Sequence, residues 1–229
     1  MSDSHEDLHR FELKSMIKGR LIDDLMLNLS LHPSSLRKIY PDRTINNIYF
    51  ESNNYLSLND NIDGISNRKK LRLRWYGNKE SPDNLCIESK CKLNGYGWKK
   101  KQLINSSVCL VKSWRQIKSN LESQVHDNFT RLALSFSHPV IINSYKRQYF
   151  GDFNESIRIT VDTEIRYFDQ RFYKKPNFHI NALADENLIV EIKSNRKNRK
   201  FLESFLQNFS FPISKNSKYV TAMFAIGLN

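Results

Sequence analysis

The chain has only three cysteines, Cys86, Cys91 and Cys109, an odd number without metal-ligand spacing. That argues against a disulfide framework and suits a reducing compartment. No apolar run approaches the ~20 residues of a membrane helix, and the opening MSDSHEDLHR has no signal-peptide core. Internal repeats and Gly/Ser-rich or Pro-rich linkers are also missing, so residues 1–229 read as a single domain. His5, His9, His32, His126, His138 and His179 show no pairing that suggests metal ligation, and no serine, cysteine or histidine stands out as a nucleophile. The expectation is a cytoplasmic, globular protein with no membrane span.

What the chain does have is positive charge. Lys and Arg number 36 against 24 Asp and Glu, a formal net charge of +12. With 39% hydrophobic and 12% aromatic residues it is too apolar for a disordered basic tail. A surplus of this kind fits nucleic acid, an anionic membrane surface, a small phosphate-rich ligand, or simply a lysine-rich soluble surface. The placement of the cations along the secondary structure decides between them.

Period-2 alternation dominates. It predicts strands over Arg10–Ile17, Ile45–Ser52, Lys70–Tyr76, Leu85–Leu93, Lys99–Ile104, Val140–Phe150, Ser156–Phe168, Phe178–Leu183 and Asn187–Lys193. Helical spacing covers Gly19–Leu31 and Ser113–Ser135, the latter through a stripe from Trp114 to Leu132. Shorter helices are expected over Lys200–Phe209 and Ser217–Ile226. Many strands with a few helices between them suggest an α+β domain on a large antiparallel sheet or barrel.

The polar faces of these strands are informative. Lys70, Arg72 and Arg74 alternate with Leu71, Leu73 and Trp75. Glu88, Lys90 and Lys92 share a face, as do Arg10, Glu12 and Lys14. Arg158, Thr160, Asp162, Glu164 and Arg166 line another strand, and Glu191 and Lys193 a late one. For one strand the ordinary explanation is a charged face shown to water. Five strands with the same pattern weaken it. If the sheet closes with these faces inward, like charges repel until a polyanion fills the space. Arginines suit phosphate oxygens, lysines act as point charges, and the carboxylates can hold a divalent metal.

Several strings carry a family resemblance. They run in order from Arg10-Phe11-Glu12-Leu13-Lys14 through IYPDRTINNIYFES, DGISNRKKLRLRWYG and CIESKCKL. Tyr145-Lys146-Arg147, IRITVD, VEIKS and SKNSKY follow. The whole resembles a VTC domain, the polyphosphate polymerase branch of the triphosphate tunnel metalloenzymes and a relative of the CYTH proteins.

The resemblance implies a closed tunnel of eight antiparallel strands, with helices packed outside and a C-terminal helix. It implies transfer of the γ-phosphoryl group of ATP to a growing inorganic polyphosphate chain, with a divalent metal, manganese or magnesium. Carried over motif by motif, Lys14, Arg72, Arg74, Lys90, Arg147 and Arg158 would grip phosphates, and Lys218 with Ser217 would match an SK pair before the last helix. Glu12, Lys92, Lys193 and Lys215 would contact substrate, and Glu191 would hold the metal. The first strand reads RxExK where hydrolytic and cyclase relatives show ExExK, and Glu191 is followed at i+2 by Lys193 in place of a second acid. Fewer acids and more cations favour holding a long polyanion over hydrolysis, though a triphosphatase or a non-catalytic polyphosphate or nucleotide binder remains an alternative. The partners implied are ATP and polyphosphate, with no nucleic acid, and uncovered barrel surface would favour a homodimer or a partner protein.

Overall fold

The computed structural model describes residues 10–80, 82–93, 96–105, 110–180 and 183–227; His5, His9 and Cys109 lie outside them. In chain order the strands are β1 (Arg10–Lys18), β2 (Arg37–Glu51), β3 (Arg68–Tyr76), β4 (Asp83–Leu93), β5 (Tyr96–Leu103), β6 (His138–Gly151), β7 (Ile157–Asp169), β8 (Leu183–Asp185) and β9 (Asn187–Asn195). The helices are α1 (Ile22–Ser30), α2 (Leu56–Ile62), α3 (Trp114–Gln124), α4 (Asn128–Ser135), α5 (Arg199–Gln207) and α6 (Lys218–Ala225). No helix among the described residues is long and apolar enough to cross a membrane.

All nine strands join one antiparallel sheet in the order β1-β9-β7-β6-β2-β3-β4-β5, with β8 paired to β7. The expected closed eight-stranded barrel is therefore not formed, because β1 and β5 end the order without pairing to each other. Local chemistry supplies a reason. The free edge of β1 is already covered, since Ser214 donates its N–H to the Lys14 carbonyl at 2.7 Å and its Oγ accepts from Met16 N–H at 3.2 Å. At the other end β5 is tied to the turn after α3, where Gln102 Nε2 donates to the Gln124 carbonyl at 2.6 Å and Gln102 Oε1 accepts from His126 N–H at 2.9 Å. The sheet still curls strongly: Glu12 on β1 comes within 3.9 Å of Lys90 on β4, although these strands lie near opposite ends of the order.

Alternation divides the sheet into two faces. On the convex face, Ile48, Leu71, Leu73, Trp75 and Ile87 pack against Trp114, Ile117 and Leu121 of α3 and Leu134 of α4. Beside them Ile157, Ile159, Val161, Val190 and Ile192 pack against Leu25 and Leu29 of α1 and Leu202 and Phe205 of α5. On the concave face one end is plugged by α6, whose Tyr219, Ala222 and Met223 are buried with Ile45, Tyr49, Tyr145 and Ile189. The helix 114–124 begins with a reciprocal cap: Ser113 Oγ accepts from Gln116 N–H, and Gln116 Oε1 accepts from Ser113 N–H.

Several boundaries differ from the sequence reading. The expected helix Ser113–Ser135 splits at Val125, which is extended, and Asp127 caps the second piece by accepting from Thr130 N–H at 2.8 Å. Its apolar stripe correspondingly fails at Leu132, which is 60% exposed, while Leu134 takes the buried position. The strand expected at Phe178–Leu183 is displaced to Leu183–Asp185, and residues 181–182 lie outside the described set. Helix α2 has only Leu58 buried, so it left no periodic signal. Before α1, Gly19 donates its N–H to the Glu186 carbonyl at 2.9 Å. A Cβ there would lie 2.3 Å from the same oxygen, so the contact requires glycine.

Candidate functional site

The strand registers gather the charged residues on the concave face. Glu12 lies opposite Lys193 and Lys14 opposite Glu191. Arg158 lies opposite Lys193 and Thr160 opposite Glu191. Arg147 pairs with Asp162, and Arg72 with Glu88. Asn47 stands opposite both Arg74 and Asn143. The face is thus a strip of cations interrupted by four acids, Glu12, Glu88, Asp162 and Glu191.

Two of these acids are fully engaged. Asp162, 0% exposed, receives Arg147 Nε and Nη2 at 2.5 and 2.7 Å and Lys218 Nζ at 2.5 Å. Burial pushes its pKa up, but Lys218 and Arg147 outweigh that and hold it below the usual aspartate value. Lys218 is desolvated too, and Asp162 keeps it charged with a raised pKa. Glu88 receives Arg72 Nε at 2.6 Å and Lys99 Nζ at 2.8 Å, with Arg74 Nη1 at 3.9 Å. Burial opposes its charge, yet these cations depress its pKa far below the usual value. Arg74 also donates from Nε to Asn47 Oδ1 at 2.7 Å, and Asn47 Nδ2 donates to Asn143 Oδ1 at 2.8 Å.

Glu191 and Glu12 form a looser group. Lys193 Nζ lies 2.6 Å from Glu191 Oε1 and 3.8 Å from Glu12 Oε2. Lys14 Nζ is 3.4 Å from Glu12 and donates to the Asn216 carbonyl at 3.0 Å. Desolvation and mutual repulsion push the Glu12 carboxyl up, whereas Lys90, Lys193 and Lys14 bring it below the usual value. Glu191, against its burial, is held far lower by Lys193, Lys14 and Arg147. Both acids are therefore ionised at neutral pH. Among the described residues no group of three or more His, Cys, Asp or Glu side chains could hold a metal. A divalent ion here would need phosphate oxygens or water beyond Glu12 and Glu191, as magnesium commonly does.

Other cations lack compensation. Lys70 Nζ donates to Ser217 Oγ at 3.1 Å but has no acid beside it. Burial first, then Lys14, Lys90, Arg68 and Arg72, pull its pKa down to about 7. Arg158 is exposed, Lys90 is mostly exposed, and Lys92 is half-buried. Neither Arg158 nor Lys92 has an ion-pair partner among the described residues. Lys215 is exposed on the segment before α6 and makes no ion pair there either. Two orphaned polar atoms complete the face: Asn143 Nδ2 and Thr160 Oγ1 are buried with no hydrogen-bond partner among the described residues.

Each site residue read from the sequence lies on this face or on the segment crossing it, where Lys215 is turned out to solvent between Ser214 and Asn216. Ser217 acts through its Oγ, which receives Lys70 and caps α6 through Val220 N–H at 3.5 Å. Lys218 is spent on Asp162. The sequence reading left Lys70 and Lys99 out of the site, although Lys70 stands at i−2 from Arg72. Lys99 was obscured by the run Lys99–Lys101, which hides alternation. Asn47 and Asn143 carried no charge signal at all.

The VTC domain family profile matches residues 9–226, a span that takes in every residue of this face. The chain belongs to the VTC domain family. No curated protein sequence matches it. Among solved structures the VTC domain is similar to a candidate adenylate cyclase from Bacillus halodurans, with TM-score 0.57, 13% identity, and coverage of 94% of this chain and 97% of that one. A candidate adenylyl cyclase from Hippeastrum, described as having a dominant triphosphatase activity, gives TM-score 0.52 and 13% identity over 95% of this chain and 98% of that one. A further candidate adenylate cyclase from Vibrio parahaemolyticus gives 0.51 and 10% over 92% and 95%. At such identities the likeness is one of fold.

Proposed function

We propose that this VTC domain binds the triphosphate of ATP along its concave face and transfers the γ-phosphoryl group to the end of an inorganic polyphosphate chain, releasing ADP. The observation that carries this reading is the surplus of cations over acids on one curled face, with Lys70 and Arg158 left without a carboxylate. Membership of the VTC family supports a triphosphate- or polyphosphate-related role, and the triphosphatase described for the Hippeastrum protein is consistent with it. Phosphoryl transfer asks little covalent work of the protein and depends on positioning and charge stabilisation.

In this reading Arg72, Arg74 and Arg147, already oriented by Glu88, Asn47 and Asp162, present guanidinium groups to phosphate oxygens. Lys14, Lys70, Lys90 and Lys193 add point charges, and Lys92 and Arg158 extend the track for the acceptor chain. Asp162 accepts no substrate proton, since Arg147 and Lys218 occupy both its oxygens. Glu12 and Glu191 would hold a divalent metal together with substrate oxygens, and that ion would neutralise charge on the transferring phosphoryl group. Changing Glu191→Gln is expected to lower the metal-dependent rate about tenfold while polyphosphate affinity, measured without metal, stays within about twofold.

The test is incubation with ATP and manganese or magnesium, followed by gel detection of polyphosphate and assay of ADP. Long chains with ADP are the expected products. Free phosphate alone would make the domain a triphosphatase, and binding without turnover would make it a binding module.

A further inference from the structure

A group of aromatic rings outside the charged strip remains unused by the reaction above. Along β6, Tyr145 belongs to the cluster under α6, Arg147 follows, and Tyr149 comes next in the same alternation. Along β2, Ile45 packs under α6, Arg43 lies opposite Arg147, and Tyr40 lies opposite Tyr149. Register shifts on either side of Tyr40 re-aim these side chains. Arg43 Cζ then lies 5.9 Å from the Tyr40 ring centre, 5.6 Å from that of Tyr76 and 5.9 Å from that of Tyr149. The rings of Tyr40 and Tyr149 meet edge to face at 5.6 Å.

Three features set this group apart from ordinary surface packing. Arg43 is exposed and makes no ion pair among the described residues. The nearest acid in sequence, Asp42, is committed to Lys38 at 3.0 Å and Gln148 at 3.2 Å. Arg43 also stands directly across the ladder from Arg147, whose own charge is taken by Asp162, so the tyrosine rings are what faces the Arg43 guanidinium. Tyr40 is 48% exposed, so the ring platform opens to solvent at the end of the face away from α6.

We infer that Arg43 with Tyr40, Tyr76 and Tyr149 is a stacking site for the base of a nucleoside triphosphate, whose phosphates run past Arg147 into the concave face. The inference rests on the triphosphate reading and adds the identity of the donor end. Donor and acceptor in the proposed transfer both present phosphates, so a purely cationic face cannot tell them apart. A base has a π-face and polyphosphate has none, so the tyrosines recognise the donor alone and set its direction, base at the open rim.

The test compares ATP with inorganic tripolyphosphate by isothermal titration in metal-free buffer, where no transfer proceeds. Tyr40→Ala and Arg43→Ala are expected to weaken ATP about 5- to 100-fold and to leave tripolyphosphate within about twofold, with Tyr40→Phe restoring ATP binding. Retained tripolyphosphate binding also shows that each variant is folded. If both variants bind both ligands as the parent does, or lose both equally, the stacking site is wrong while the phosphate-binding reading stands. If the parent binds neither ligand, both fall.

Discussion

Around Asp162 and Glu88 the concave face is electrically satisfied, whereas around Lys70 and Arg158 it is not. Asp162 neutralises Arg147 and Lys218, and thereby fastens the start of α6 to β6 and β7. Glu88, on β4, gathers Arg72 and Arg74 from β3 and Lys99 from β5, the strands on either side of it. Lys70, by contrast, sits among Lys14, Lys90, Arg68 and Arg72 with no carboxylate, only the Ser217 hydroxyl and the Tyr219 ring 5.6 Å away, to receive it. Fixed pairs orient guanidinium groups before any ligand arrives. Unpaired cations store a repulsion that a phosphate chain relieves. The first region builds the site and the second provides the driving force for filling it.

The largest expected effect lies in the paired region. Asp162→Ala leaves Arg147 and Lys218 buried without a counter-charge, a loss of about 3–5 kcal/mol measurable by urea unfolding. A cost below about 1 kcal/mol would mean that α6 is not held by this pair.

Arg72→Ala comes next. Removing a charge-assisted contact of about 1.5–3 kcal/mol should weaken triphosphate binding and turnover some 10- to 100-fold. Unchanged activity would sink the assignment of the concave face.

Lys70 makes a smaller, pH-dependent contribution. Its pKa falls from 10.5 to about 7 on folding, so between those values the unfolded chain binds more protons. Stability contributed at this site therefore rises as pH increases from about 7 towards 10.5. A bound polyanion restores the lysine's charge, so tripolyphosphate binding near pH 8.5 should take up close to one proton. Titration in buffers of different ionisation enthalpy reads this uptake, and Lys70→Met should abolish it. The smallest effect belongs to Arg158→Ala, whose exposed, unpaired side chain should leave stability within about 0.5 kcal/mol while weakening long polyphosphate a few-fold.

The same contrast explains what could be read from the sequence. Charge alternation in Lys70–Arg74, Glu88–Lys92 and Glu191–Lys193 places those residues on a common face because the strand period is two. The sheet order and its open seam were not legible, since closure depends on what covers the β1 edge. That cover is Ser214, some 200 residues away in sequence, and nothing in its surroundings announces a strand-like contact. Glu51 was missed for a related reason. It is buried, and its carboxylate accepts from the N–H groups of Ser52, Ser57 and Leu58 and from the Tyr219 hydroxyl, so it joins α2 to α6. In sequence it is merely one acid after an apolar run. Roles that require two distant segments, such as Lys218 with Asp162, likewise appear only once the chain is folded.

Thermal unfolding with increasing tripolyphosphate tests the unpaired charge most directly. The melting temperature should rise with ligand concentration as binding favours the folded state, and the rise should shrink in Arg72→Ala. A melting temperature unmoved by tripolyphosphate at millimolar concentration would contradict the phosphate-binding role of the concave face.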